Sequence, residues 1–217
     1  MRRRSGSEER PVANPAAGWW QRHEPTLIVA LLTLTAVLAV TSLVQDSPTF
    51  DETAHIASGL AIVKTGDFRL SFEHPPLGKM WCTWPLLLVS HNWPPPDDQY
   101  WRHGDLFGFG RHWLYELNEN PQRLVVICRL MMVVLLVATC LAIYALARTL
   151  FGPRAALLSL AIAAVSPTLL AHGRLVTTDL PITLCTTLTL LTFGRLMERA
   201  TWLRTLLAGL ALAAASL

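Results

Sequence analysis

Apolar runs decide most of what this chain can become. Four of them cover residues 26–44, 124–147, 155–171 and 181–197, and a fifth begins at Leu203 and continues to Leu217. Runs of about 17 to 25 apolar residues match the thickness of a bilayer. Lipid offers no partner for peptide N–H and C=O groups, so such runs must be helical. The expected fold is all-α, a multi-pass transmembrane helical protein. Composition agrees, with 52% of residues hydrophobic and 15% charged, against roughly 25% charge in soluble domains. A net charge of +3 is too small to argue for nucleic acid. Of the four cysteines, Cys82, Cys128, Cys140 and Cys185, three lie inside apolar runs, so no disulfide framework is expected.

The first run, 26–44, reads as an anchor rather than a cleaved signal. Its polar lead is long and no small-x-small site follows it. Residues 1–25 are polar and rich in Arg and Pro, and read as a disordered tail. The fifth run reaches the last residue without a polar end, as if an N-terminal piece of a longer protein stopped within a span.

Basic residues set the orientation. Arg2, Arg3, Arg4, Arg10 and Arg22 precede the first span, Arg148 and Arg154 follow the second, and Arg195, Arg199 and Arg204 follow the fourth. The short segment 171–180 on the other side carries Arg174 alone. Positive-inside logic puts the N-terminus in the cytoplasm and the long loop 45–122 outside. Asp51, Lys79, Arg174 and Asp179 then share the outer face.

Each of these polar residues also has a local explanation. Thr49-x-x-Glu52 is a capping box, and Asp51 in the first turn suits the helix dipole. Ile56, Leu60 and Val63 fall on one face of the helix they open, as in a helix lying flat at the interface. The stretch "FEHPPLGKMWCTWPLLLV", residues 72–89, is too short and Pro-interrupted to span and reads as re-entrant or interfacial. Lys79 within it either snorkels to headgroups or meets a phosphate. Asp179 or Thr178 reads as an N-cap, and Arg174 as a headgroup anchor. His91, His103 and His112 show no metal-ligand spacing, so a divalent metal stays an open question. "GDLFGFG", residues 104–110, follows no strand and is no nucleotide loop. Together the charges tell more. Carboxylates and cations on one membrane face are a functional site by default, and they suggest a phosphate leaving group near lipid.

"FDETAH", "EHPPLGKM" and "RLVTTD", taken in order, resemble the protein O-mannosyltransferase family and its bacterial ArnT-like relatives, membrane glycosyltransferases of the GT-C type. The corresponding positions are Asp51-Glu52, His74 to Lys79, and Arg174 with Asp179. The resemblance covers residues 26 to about 200 and implies a GT-C-like transmembrane module over 26–217, in a bacterial inner (plasma) membrane. It implies a sugar donor on polyprenyl or dolichyl phosphate, a protein or glycolipid hydroxyl as acceptor, and inversion at the anomeric carbon. Asp51 would be the base or orient the acceptor, with Glu52 beside it in the catalytic pair. Lys79 and Arg174 would hold the phosphate, and Asp179 the acceptor or Arg174. His55, one turn after Asp51, and His74 would face the same substrates. Two other readings stand beside it: a non-catalytic or truncated subunit of this fold, and a transporter of lipid-linked cargo, for which no internal repeat speaks.

Overall fold

A computed structural model describes residues 15–216, with side chains from residue 22. Most of the expected tail, residues 1–14, lies outside the described residues. Its remainder, from Pro15, is already helical rather than irregular and opens α1, Pro15–Leu43. Helix α2 is Phe50–Thr65 and α3 is Pro76–Thr83, continued by a 3₁₀ turn at Trp84–Leu88. Two short helices follow, α4 at Gln99–His103 and α5 at Leu106–Arg111. Then come α6, Pro121–Phe151; α7, Pro153–Ala164; α8, Pro167–Gly173; α9, Asp179–Glu198; and α10, Trp202–Ser216. Among the described residues there is no strand.

Arg22–Leu43, α6 and α9 are long and apolar enough to cross a membrane, which makes the chain a multi-pass helical membrane protein. The expected continuous span at 155–171 is different. It is two helices, α7 and α8, bent by 61°. Ser166-Pro167 sits at the break. Proline donates no N–H and pushes the residue before it out of the helical region, while Ser166 caps α8 by accepting from the Leu169 amide.

The two ends of the bundle differ. At one end the Glu24 carboxylate of α1 joins Tyr144 and Arg148 of α6. At the other, the C-terminus of α1, the N-terminal half of α6 and the α8–α9 junction meet beneath the segment 44–120. That segment is far from an open loop. Trp93 packs edge-on against Phe109, 5.5 Å between centroids, and near Trp101 and Trp113, giving the segment its own aromatic core.

Helix α2 corrects the expectation of a flat interfacial helix. Every residue from Glu52 to Ile62 is buried, with α3, α5 and α6 packed around it. Small residues make this possible against α3 and α5. A Cβ on Gly59 would lie 2.4 Å from the Lys79 carbonyl oxygen of α3, and one on Gly110 of α5 would lie 2.6 Å from the Thr53 carbonyl oxygen. Backbones approach too closely there for any side chain.

Helix α3 descends beside α6. The Trp81 indole N–H donates to the Met131 carbonyl at 3.1 Å, ten residues into α6 and so about 15 Å from its start. The stretch thus lies along α6.

Candidate functional site

Adjacent residues at the start of α2 have opposite fates. Asp51 is exposed, and Glu52 is fully buried. Arg129 of α6 grips the Glu52 carboxylate with two hydrogen bonds, Nε to Oε1 at 2.8 Å and Nη2 to Oε2 at 2.6 Å. The amides of Thr49 and Val176 donate to the same carboxylate at 2.9 and 3.0 Å. Burial alone would raise the Glu52 pKa, but these donors hold it below the ordinary carboxylate value. The capping box exists, and it is one corner of a larger clasp. Through Glu52, α2 is tied to α6 and to the segment between α8 and α9. With both oxygens so engaged, Glu52 is built to hold position rather than to take a proton.

Arg129 is just as fully used. It is 0% exposed, and beyond Glu52 it donates to the carbonyls of Leu43 and Asp46 at 2.8 Å and of Ser47 at 3.1 Å. This fixes the turn that delivers Asp51. Arg129 went unnoticed in the sequence, although a signal was there. It is the one charged residue in the apolar run 124–147, and an ionisable residue within a span asks for a partner.

Lys79 has the opposite environment. Its side chain is 1% exposed, on α3 against α2. Among the described residues its one hydrogen bond is to the Ser71 hydroxyl at 3.3 Å. Burial pushes its pKa down, opposed only by the charge of Glu73. An ammonium enclosed with a single hydroxyl partner is an expensive arrangement unless an anion joins it.

Around His55, one turn along α2 from Asp51, the other expected residues gather. The His55 ring meets His74 edge-on at 5.4 Å. Burial first, then the charges of Lys79 and His74, lower its pKa to about 4, against the opposing pull of Asp51 and Asp179. The first turn of α9 reaches this cluster because Gly78, next to Lys79, packs on Pro181. A Cβ at Gly78 would lie 2.7 Å from the proline ring. Asp179 also stands 3.1 Å from Nδ1 of His172 on α8, a pairing not foreseen. Beside Gly78 an apolar cavity of about 180 Å³ is lined by Leu77, Trp81, Leu135, Pro181 and Ile182.

Arg174 stands apart from this group in its contacts. It pairs with the Asp46 carboxylate and donates to the Ser42 carbonyl at 3.3 Å, so it faces the α1–α2 turn. Asp51, Lys79, His74 and Asp179 are therefore brought together around His55, while Arg174, at the end of α8, is engaged by the turn that precedes α2.

Residues 115–217, a little under half of the chain, match the family described as dolichyl-phosphate-mannose-protein mannosyltransferase. No curated protein and no solved structure matches the chain. The matched stretch holds Arg129, Arg174 and Asp179; Asp51, His55 and Lys79 lie before it. The matched stretch begins after the 51–79 motifs, yet Glu52 fastens one to the other, and both point the same way: the chain is similar to the GT-C-type dolichyl-phosphate-mannose-protein mannosyltransferases.

Proposed function

We propose that the chain moves a sugar from a polyprenyl- or dolichyl-phosphate donor to an acceptor hydroxyl, with inversion, at the outer face of a bacterial inner membrane. The N-terminus lies in the cytoplasm, in keeping with the basic residues before α1 and after α6 and α9. The observation that carries this reading is the buried Lys79 ammonium, with one hydroxyl partner among the described residues, around the same histidine as Asp51 and Asp179 and next to Gly78, which lines an apolar cavity. A lipid phosphate supplies what each part needs. Its anionic head meets Lys79, and its first isoprene units fit the cavity behind Gly78.

The chemistry follows from the charges. The acceptor oxygen attacks the anomeric carbon as the bond from that carbon to the phosphate oxygen breaks. Asp51, exposed and next to the fixed Glu52, takes the hydroxyl proton. A carboxylate can do this when the proton moves late. Negative charge grows on the departing phosphate, and a cation already in place stabilises that state more than the ground state. Asp179, near His172, orients the acceptor. His55 and His74 line the site, and Arg174, held by Asp46, adds a second cation at its border. A protein or glycolipid hydroxyl fits the acceptor role equally.

The test is transfer in proteoliposomes carrying polyprenyl-phosphate mannose with a labelled sugar. Covalent product that disappears in Asp51→Asn supports the reading. Labelled donor that crosses the membrane unchanged, with no product, would favour a transporter instead.

A further inference from the structure

His55 is placed oddly for a core residue. Its side chain is nine-tenths buried, at 7% exposure, yet Nδ1 is enclosed and bonded to nothing. Among the described residues Nε2 has no hydrogen-bond partner either, but it is not among the enclosed atoms. The charged groups that act on the ring are Asp51 on α2 itself, His74 in the α2–α3 connection, Lys79 on α3 and Asp179 on α9. An enclosed N–H without an acceptor is costlier than an enclosed lone pair. The proton therefore belongs on Nε2. That leaves a neutral imidazole with one N–H donor on its less enclosed nitrogen.

We propose that His55, through Nε2–H, reads an uncharged hydroxyl of the sugar on the lipid-phosphate donor, while Lys79 takes the phosphate. This deepens the function proposed above and rests on it. Burial and the neighbouring cations keep the ring uncharged down to about pH 4, so it is a poor phosphate clamp and a good hydroxyl partner. The division of labour is physical. One buried group carries charge for the anion, and the other carries a directed donor for the neutral ring. A site built to bond a hydroxyl discriminates sharply against a ligand that lacks it, because its own buried polar group is then left unpaired.

The test measures binding to the whole chain in nanodiscs, with polyprenyl-phosphate mannose and bare polyprenyl phosphate as probes. His55→Phe keeps the ring's shape and removes the donor. It is expected to weaken the mannose-bearing probe about ten- to a hundredfold and to leave the bare phosphate within about twofold. His55→Asn, which restores a neutral donor, recovers part of the loss. Equal weakening of both probes, or of neither, overturns the proposal. If the variants do not fold, ¹⁵N-histidine spectra of the unmodified chain decide. A shift of Nε2 with the mannose-bearing probe alone supports the proposal, and the same shift with both probes contradicts it. Lys79→Met separates the two readings: if it still binds bare polyprenyl phosphate at full strength, the phosphate assignment fails whatever His55 does.

Discussion

Two cations are buried against α2, and their surroundings are opposite. Around Arg129 everything is matched: a carboxylate on two nitrogens and three backbone carbonyls. Around Lys79 the described residues supply one hydroxyl. The first arrangement resembles the inside of a well-folded protein, where buried charge is paired and hydrogen-bonded. The second makes sense as a site prepared for an anion. Burial alone does not tell structural charge from functional charge; saturation does.

The sharpest way to break this contrast is Arg129→Met. It leaves Glu52 charged and enclosed, and removing one partner of a buried pair costs about 3–5 kcal/mol. We expect a chain recovered in poor yield, with a thermal transition lowered accordingly. Arg129→Lys is not expected to rescue it, since a point charge cannot reproduce the two-pronged grip on Glu52.

Acid sharpens the contrast from another side. The His55 pKa falls from 6.5 to about 4 on folding. The unfolded chain therefore binds the extra proton between those values. Stability is fully present above pH 6.5 and is lost as pH falls toward 4, by up to about 3 kcal/mol. Chemical denaturation in detergent at pH 7 and pH 4.5 checks this. His55→Phe should flatten the dependence.

Packing gives a smaller effect. Gly59→Ala drives a methyl into the Lys79 carbonyl and is expected to cost about 1–3 kcal/mol by forcing α3 from α2. Because α3 carries Lys79, donor binding should weaken with it. A variant that loses stability but binds normally would show that the two helices need not be in close register. Smallest of all is the stability change in Asp51→Asn. Its side chain is exposed, so the change should stay within about 0.5 kcal/mol, while sugar transfer falls about a hundredfold or more.

Much of this was legible in the residues. The apolar runs at 26–44, 124–147 and 181–197 became α1, α6 and α9, because lipid leaves an apolar segment no alternative to a helix. The gathering of Asp51, His55, His74, Lys79 and Asp179 followed from the short motifs around them. The break at Ser166-Pro167 was written in the sequence, but a continuous apolar composition hid it. The enclosure of α2 was harder to see. Its hydrophobic pattern suits a surface helix, and only close approach at Gly59 and Gly110 shows that backbones cover its other faces. Arg129 hid for the opposite reason, since one charge in a long apolar run looks like an exception until its partner, 77 residues away, is known. Arg174 carried the right charge at the right end, yet Asp46 in the α1–α2 turn claims it.

The central claim is that Lys79 is buried for a ligand and Arg129 for the fold. The most direct test is Lys79→Met, with thermal stability and polyprenyl phosphate binding measured on the same preparation. Replacing an underpaired buried ammonium with an apolar side chain should leave stability unchanged or raise it by about 1 kcal/mol, while binding of the lipid phosphate is lost. A variant as unstable as Arg129→Met, or one that binds polyprenyl phosphate as tightly as the parent chain, would contradict the account.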